Sequence, residues 1–131
     1  ASQEPATLEF CRPYAHELIQ LTVPKATPKL PLDSHTAVAC LFHEHEWEGP
    51  LLLDALRSEA FYVGALGSRQ THRRRVEVLE ALGATADEIA RLKGPLGLFP
   101  SQDPRSLAVS ALAEIVMVRT TSGGAVKRGA P

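Results

Sequence analysis

Two unbroken apolar runs constrain this chain more than any other feature. Thr36–Phe42 (TAVACLF) and Ala60–Leu66 (AFYVGAL) are each a few residues long and bounded by polar positions. That is the pattern of strands buried on both faces, as in a parallel sheet covered by helices. Between them, Glu48–Ser58 places Leu52, Leu53 and Leu56 along one stripe of a helix. A strand–helix–strand succession of this length implies parallel strands joined by a right-handed crossover. The expected class is therefore α/β.

The remaining segments extend that alternation. Ser68–Leu82 reads as a helix, with Ser68 as N-cap, Val76, Leu79 and Leu82 along one side, and Gly83 as the stop. Thr85 and Glu88 have capping-box spacing and open a short helix. After the loop GPLGLFPSQDP, Asp103 as N-cap and Pro104 at the first helical position open a last helix. It is expected to run to about Thr120 on Leu107, Ala108, Ala111, Leu112 and Ile115. Upstream, Thr7–Phe10 reads as a short strand, and prolines 13, 24, 28 and 31 mark a loop with one helical turn around Tyr14–Leu21. The expectation is one layered domain over residues 1–120, with a frayed tail at 121–131.

Charge excludes some functions. The 131 residues carry 14 Lys+Arg against 15 Asp+Glu, a net charge of −1. No global imbalance points to nucleic acid or an anionic membrane, so anion affinity has to come from local clustering. The apolar runs are far shorter than the roughly 20 residues that span a bilayer. The opening ASQEPATLEFCRPY lacks the basic flank and apolar core of a signal peptide. Cys11 and Cys40 provide neither a disulfide framework nor metal-ligand spacing. A cytoplasmic protein in a reducing compartment is the expectation.

Local clustering is found at "FYVGALGSRQTHRRR". In open parallel sheets, ligands sit at the carboxyl ends of strands, where the next helix points its N-terminus. Gly64, Gly67 and Ser68 occupy that place, and glycine permits both the sharp turn and close ligand approach. At about 100° per residue, Arg69, His72, Arg73 and Val76 share a stripe that Leu79 extends. If that stripe faces the sheet, its first turn brings Arg69, His72 and Arg73 over the strand ends while Arg74 points away. Guanidiniums beside a helix N-terminus suit a phosphate or carboxylate. The competing reading is a solvated basic face after an ordinary turn.

His43 and His45 follow the first buried strand and point the same way if the strand continues. They are read as polar residues on the rim of the same crevice, in preference to metal ligands with His35 or a carboxylate. Trp47 reads as a packing residue at a helix entry and Cys11 as a structural thiol. No catalytic triad order, nucleophile elbow or catalytic Cys–His pair can be assembled, and no catalytic or metal-binding residue is assigned.

The stretch from "DSHTAVACLF" through "ALRSEAFYVGALGSRQTHRRR" to "KGPLGL", with "PRSLAVSALAEIVM", closely resembles the C-terminal Rossmann-like domain of the XdhC/CoxI family. The likeness runs from about Asp33 to Met117, and CRPYA at Cys11 resembles the segment after that domain's second strand. It implies a Rossmann-like three-layer parallel sheet, here without a counterpart of the first strand–Gly-loop–helix unit. It implies a maturation factor, without turnover of its own, that binds the molybdenum cofactor and delivers it to a molybdenum hydroxylase apoenzyme of the xanthine or CO dehydrogenase type. The cofactor's phosphate gives the GALGSR turn a ligand. Phe10 stands where an acidic residue would grip a ribose, so NAD(P) is not expected. A small nucleotide-dependent oxidoreductase and a ligand-free docking domain are the alternatives. An incomplete sheet would leave an open edge and apolar surface, so a homodimer or a covering partner domain is expected.

Overall fold

A computed structural model of the chain describes residues 1–24 and 27–122. The chain divides into two compact units, residues 1–30 and residues from Pro31 onward. The first carries a helix α1 (Pro5–Cys11) and a single 3-10 turn at Arg12–Tyr14. The expected strand at Thr7–Phe10 lies inside α1 and is corrected here. Pro5 in the first helical turn sets the helical φ, and the Thr7 hydroxyl donates to the Glu4 carboxylate at 3.0 Å, a local bond that favours a helix start. Extended pairing in this unit is limited to a bridge between Ser2 and Gln20. The single helical turn expected around Tyr14–Leu21 falls earlier, at Arg12–Tyr14.

The second unit holds the sheet. Strands β1 (Ala37–Cys40), β2 (Tyr62–Ala65) and β3 (Leu92–Lys93) run parallel in the order β1-β2-β3. Their connections contain α2 (His45–Arg57), then α3 (Arg69–Ala81) with the short α4 (Ala86–Ala90), and α5 (Pro104–Ser122) follows. The parallel α/β expectation holds, with Ala37 opposite Tyr62 and Cys40 opposite Ala65. β3 escaped the reading from sequence because two residues carry no periodicity. The last helix ends at Ser122, and the expected tail from residue 123 on lies outside the described residues.

Alternation on the strands sorts the layers. Cys40, Val63 and Ala65 face α2 and α3, and with Leu52, Ala55, Leu56, Ala60, Leu79 and Leu92 they form the core. Full burial of each aliphatic side chain contributes about 1.5–3 kcal/mol. Tyr62 and Gly64 face the other way, where α5 packs on β2. Three layers result.

β2 is buried at every position, as expected. β1 is not: Ala37 and Ala39 are exposed on the α5 side of the sheet, so the expectation of burial on both faces is corrected. The cause is position, since β1 is the edge of the described sheet and α5 packs over its neighbour.

Two expected caps form as read. Thr85 and Glu88 make a reciprocal capping box, and Asp103 accepts from the Ser106 N–H at 3.0 Å. Arg91 closes the far end of α2, donating to the carbonyls of Leu56, Ser58 and Ala60. That end lies opposite the ligand-type end of the sheet, which is thereby left to the three strand-to-helix loops.

Candidate functional site: the glycine turn at the carboxyl ends of the strands

Three loops leave the carboxyl edge of the sheet: Leu41–Glu44 before α2, Leu66–Ser68 before α3, and Gly94–Asp103 before α5. The middle one is the tightest. Gly67 has φ 142°, a conformation that side chains with a Cβ rarely adopt. A Cβ there would also lie 2.9 Å from Thr71 Cγ2, so the turn sits closely on the first turn of α3. Ser68 caps the helix, its hydroxyl accepting from the Thr71 N–H at 3.1 Å. The first helical bond runs from the His72 N–H to the Ser68 carbonyl at 2.9 Å. By helix geometry the Arg69 and Gln70 N–H groups then have no acceptor within α3. They and the positive end of the helix are presented to whatever lies over the strand ends.

The orientation of α3 differs from the expectation. Arg75 and Leu79 are buried, His72, Val76 and Val78 are half-buried, and Arg69, Arg73 and Arg74 are all exposed. The inward face therefore runs through 72, 75 and 79, rotated from the 69–73–76 stripe. Arg73 lies about 200° around the helix from Arg75, so it is as outward as Arg74, while Arg69 stands on the flank. The physical reason is an ion pair that a wheel of hydrophobic residues does not reveal. Arg75 Nη2 lies 2.8 Å from Glu48 Oε1 of α2, with the two side chains 1% and 2% exposed. The same nitrogen donates to the Leu66 carbonyl at 2.6 Å. Cys40 lies beside this pair, and burial, with Glu48 adding to it, pushes its thiol up to about 12.

His72 packs on the third loop. Its Nδ1 occupies the space where a Gly94 side chain would begin, so Gly94 permits the two elements to touch. Burial, and then the charge of Arg75, hold the imidazole below its ordinary pKa. Leu96 joins the same edge, its N–H donating to the Ala65 carbonyl at 2.9 Å.

The third loop is anchored from the opposite face by residues that the sequence reading did not single out. The Tyr62 hydroxyl donates to Glu114 Oε1 of α5 at 2.7 Å, and that oxygen accepts from the Gly97 N–H at 3.0 Å. Ser110 of α5, fully buried, accepts from the Phe99 N–H at 2.9 Å and donates to the Phe99 carbonyl at 2.7 Å. Polar residues at 110 and 114 within an apolar helix were the available signal.

Gly64 lies mid-strand under the Tyr62 ring: a Cβ would fall 2.7 Å from Tyr62 Cε1, so its role in the fold is to admit that ring. His43 is exposed in the first loop, and His45 is the first residue of α2. Among the described residues no group of three His, Cys, Asp or Glu is placed to hold a metal ion. No helix of the described residues is long and apolar enough to cross a membrane. The site thus reduces to amide donors at a helix start, with Arg69 on its flank and His72 beneath.

Comparison with known proteins agrees with this geometry. The chain is 36% identical over 119 residues to the molybdenum cofactor insertion chaperone PaoD of Escherichia coli (strain K12), an alignment covering 90% of this chain and 37% of that protein. The chain therefore spans well under half the length of the relative it matches. The sequence model of the XdhC Rossmann domain matches residues 2–115, more of the chain than the Asp33–Met117 likeness read from motifs. The chain belongs to the XdhC Rossmann-domain family.

Proposed function

We propose that this domain binds the molybdenum cofactor and takes part in its insertion into a molybdenum hydroxylase of the xanthine or CO dehydrogenase type. The cofactor's phosphate is held at the Gly67–Ser68 turn by the Arg69 and Gln70 N–H groups and the Arg69 guanidinium. Arg73 reaches in as a longer-range cation, and His72 supplies a neutral ring below. Gly64 belongs to this set through the fold of β2, and His43 and His45 through the neighbouring loop and the start of α2. Residues 1–120 act as one module, because one family pattern spans residues 2–115.

The observation that carries this reading is the capped, unobstructed start of α3, preceded by a glycine at φ 142°. A helix start with spare amides and a flanking guanidinium fits a phosphate monoester. Similarity to a cofactor insertion chaperone selects the phosphorylated pterin among possible anions. The protein's part is to bind and orient the cofactor; no residue set for turnover is assigned. Its partners are the apoenzyme and a surface covering the open β1 edge, supplied by a second copy or a partner domain. A cytoplasmic location follows from this role.

Thermal unfolding in the presence of molybdenum cofactor, NAD(H), NADP(H) and ATP tests the assignment. A ligand at 100 times its dissociation constant adds about 2.7 kcal/mol to stability. Stabilisation by the molybdenum cofactor alone is the expected result. A response to the nicotinamides alone would replace this reading with a nucleotide-dependent oxidoreductase.

A further inference from the structure

The α2–α3 interface is lined by Leu52, Ala55, Leu56 and Leu79, yet Arg75 and Glu48 meet within it at 1% and 2% exposure. Replacing a buried ion pair by well-packed apolar residues is often neutral or stabilising, so stability alone does not account for this one. Arg75 Nε and Nη1 find no hydrogen-bond acceptor among the described residues, which leaves part of the desolvation of the guanidinium uncompensated. What the pair does achieve is directional. Arg75 Nη2 donates to the Leu66 carbonyl at 2.6 Å, the peptide group joined directly to Gly67. The Leu66 N–H donates to the Cys40 carbonyl at 2.9 Å. Leu66 is thus held on both sides: its amide by β1, its carbonyl by α3 through a guanidinium that α2 fixes with Glu48.

We propose that Arg75 and Glu48 are positioning residues for the Gly67–Ser68 turn: they set where the Arg69 and Gln70 amides stand and do not themselves touch the ligand. The guanidinium suits this task because its planar fork serves a carbonyl and a carboxylate at once, which a lysine ammonium does not reproduce. The functional weight of the clamp rests on the reading that this turn holds a phosphate; the clamp itself does not.

Hydrogen exchange separates the two. The Leu66 and Phe61 amides close opposite ends of the same strand pair, Phe61 donating to the Thr36 carbonyl at 3.0 Å. In the double variant Glu48→Leu, Arg75→Met, protection of Leu66 is expected to fall about tenfold while Phe61 changes little, with the melting temperature retained. Binding of inorganic phosphate, followed through the Arg69 and Gln70 amide signals, weakens in parallel. Should the double variant not fold, Arg75→Lys, which keeps the charge beside Glu48, carries the same comparison. Equal loss at both amides, or an unchanged Leu66, overturns the positioning role. Loss at Leu66 alone, in a protein whose wild-type form ignores phosphate, upholds the clamp and removes the cofactor reading of the turn.

Discussion

Tyr62 and Glu114 join the sheet to the last helix: the phenol donates to the carboxylate at 2.7 Å, and the same oxygen accepts the Gly97 amide at 3.0 Å. One carboxylate of α5 thereby fixes both the middle of β2 and the loop that follows β3. Burial, and then the bond to Glu114, push the Tyr62 phenol above its ordinary pKa. Tyr62→Phe is expected to lower stability by about 1–2 kcal/mol, since Glu114 keeps the Gly97 amide. Glu114→Ala should cost more than Tyr62→Phe, because it strands a buried hydroxyl and a loop amide together. Urea unfolding of both variants measures the order.

The glycines of the loops separate strain from space. Gly97 has φ 113°, and a Cβ there would lie 2.6 Å from Ser110 Oγ. Gly83 has φ 96° with nothing within 4 Å of the added carbon. Gly83→Ala is expected to cost about 1 kcal/mol through backbone conformation alone. Gly97→Ala should cost more, because it also displaces the hydroxyl that pins Phe99. Similar losses from both, by thermal unfolding, would mean that Ser110 yields freely.

Much of this architecture is legible in the sequence, for a physical reason. TAVACLF and AFYVGAL are strands because unbroken apolar runs of that length must be covered, and Ser68, Thr85 and Asp103 cap helices through short local bonds. What escaped is non-local. Arg75 reads as one more surface arginine until Glu48, far away in the chain, comes within 2.8 Å of it. That pairing rotates α3 and moves Arg73 outward. Similarly, Thr7–Phe10 has strand-like composition, but Pro5 opens a helix over it.

The two thiols are expected to differ. Cys40 is buried, with a pKa pushed up to about 12, so little thiolate forms at pH 8. Cys11 is half-buried. A disulfide reagent at pH 8 should titrate one thiol in the native protein and two in denaturant. Rapid reaction of both thiols in the native state would show that the β1–α2 core opens readily.

His72 gives stability a particular pH dependence. Its folded pKa is depressed by burial and by Arg75, so below about pH 6.5 the unfolded chain binds the proton more readily. Its contribution is therefore a loss of stability as pH falls through the unfolded value, ending below the folded one. Asp33, Asp103 and Glu88, depressed by hydrogen bonds, add a separate loss only at lower pH, through the unfolded carboxylate range near 4. His72→Gln should lose less melting temperature than wild type between pH 7.5 and 5.5. An equal drop in both proteins would place the titration elsewhere.

The central claim is that the start of α3 holds the phosphate of the molybdenum cofactor, and calorimetric titration of arginine variants with that cofactor tests it most directly. Arg69→Ala, on the flank of the turn, is expected to weaken binding by about 1.5–3 kcal/mol, the range for a hydrogen bond to a charged group. Arg73→Ala should weaken it less and Arg74→Ala hardly at all, with folding stability preserved in all three because the side chains are exposed. Gly67→Val should abolish binding, since its backbone sits at φ 142° against Thr71. Equal, small effects from the three arginine changes would contradict the account and leave the basic cluster a solvated face.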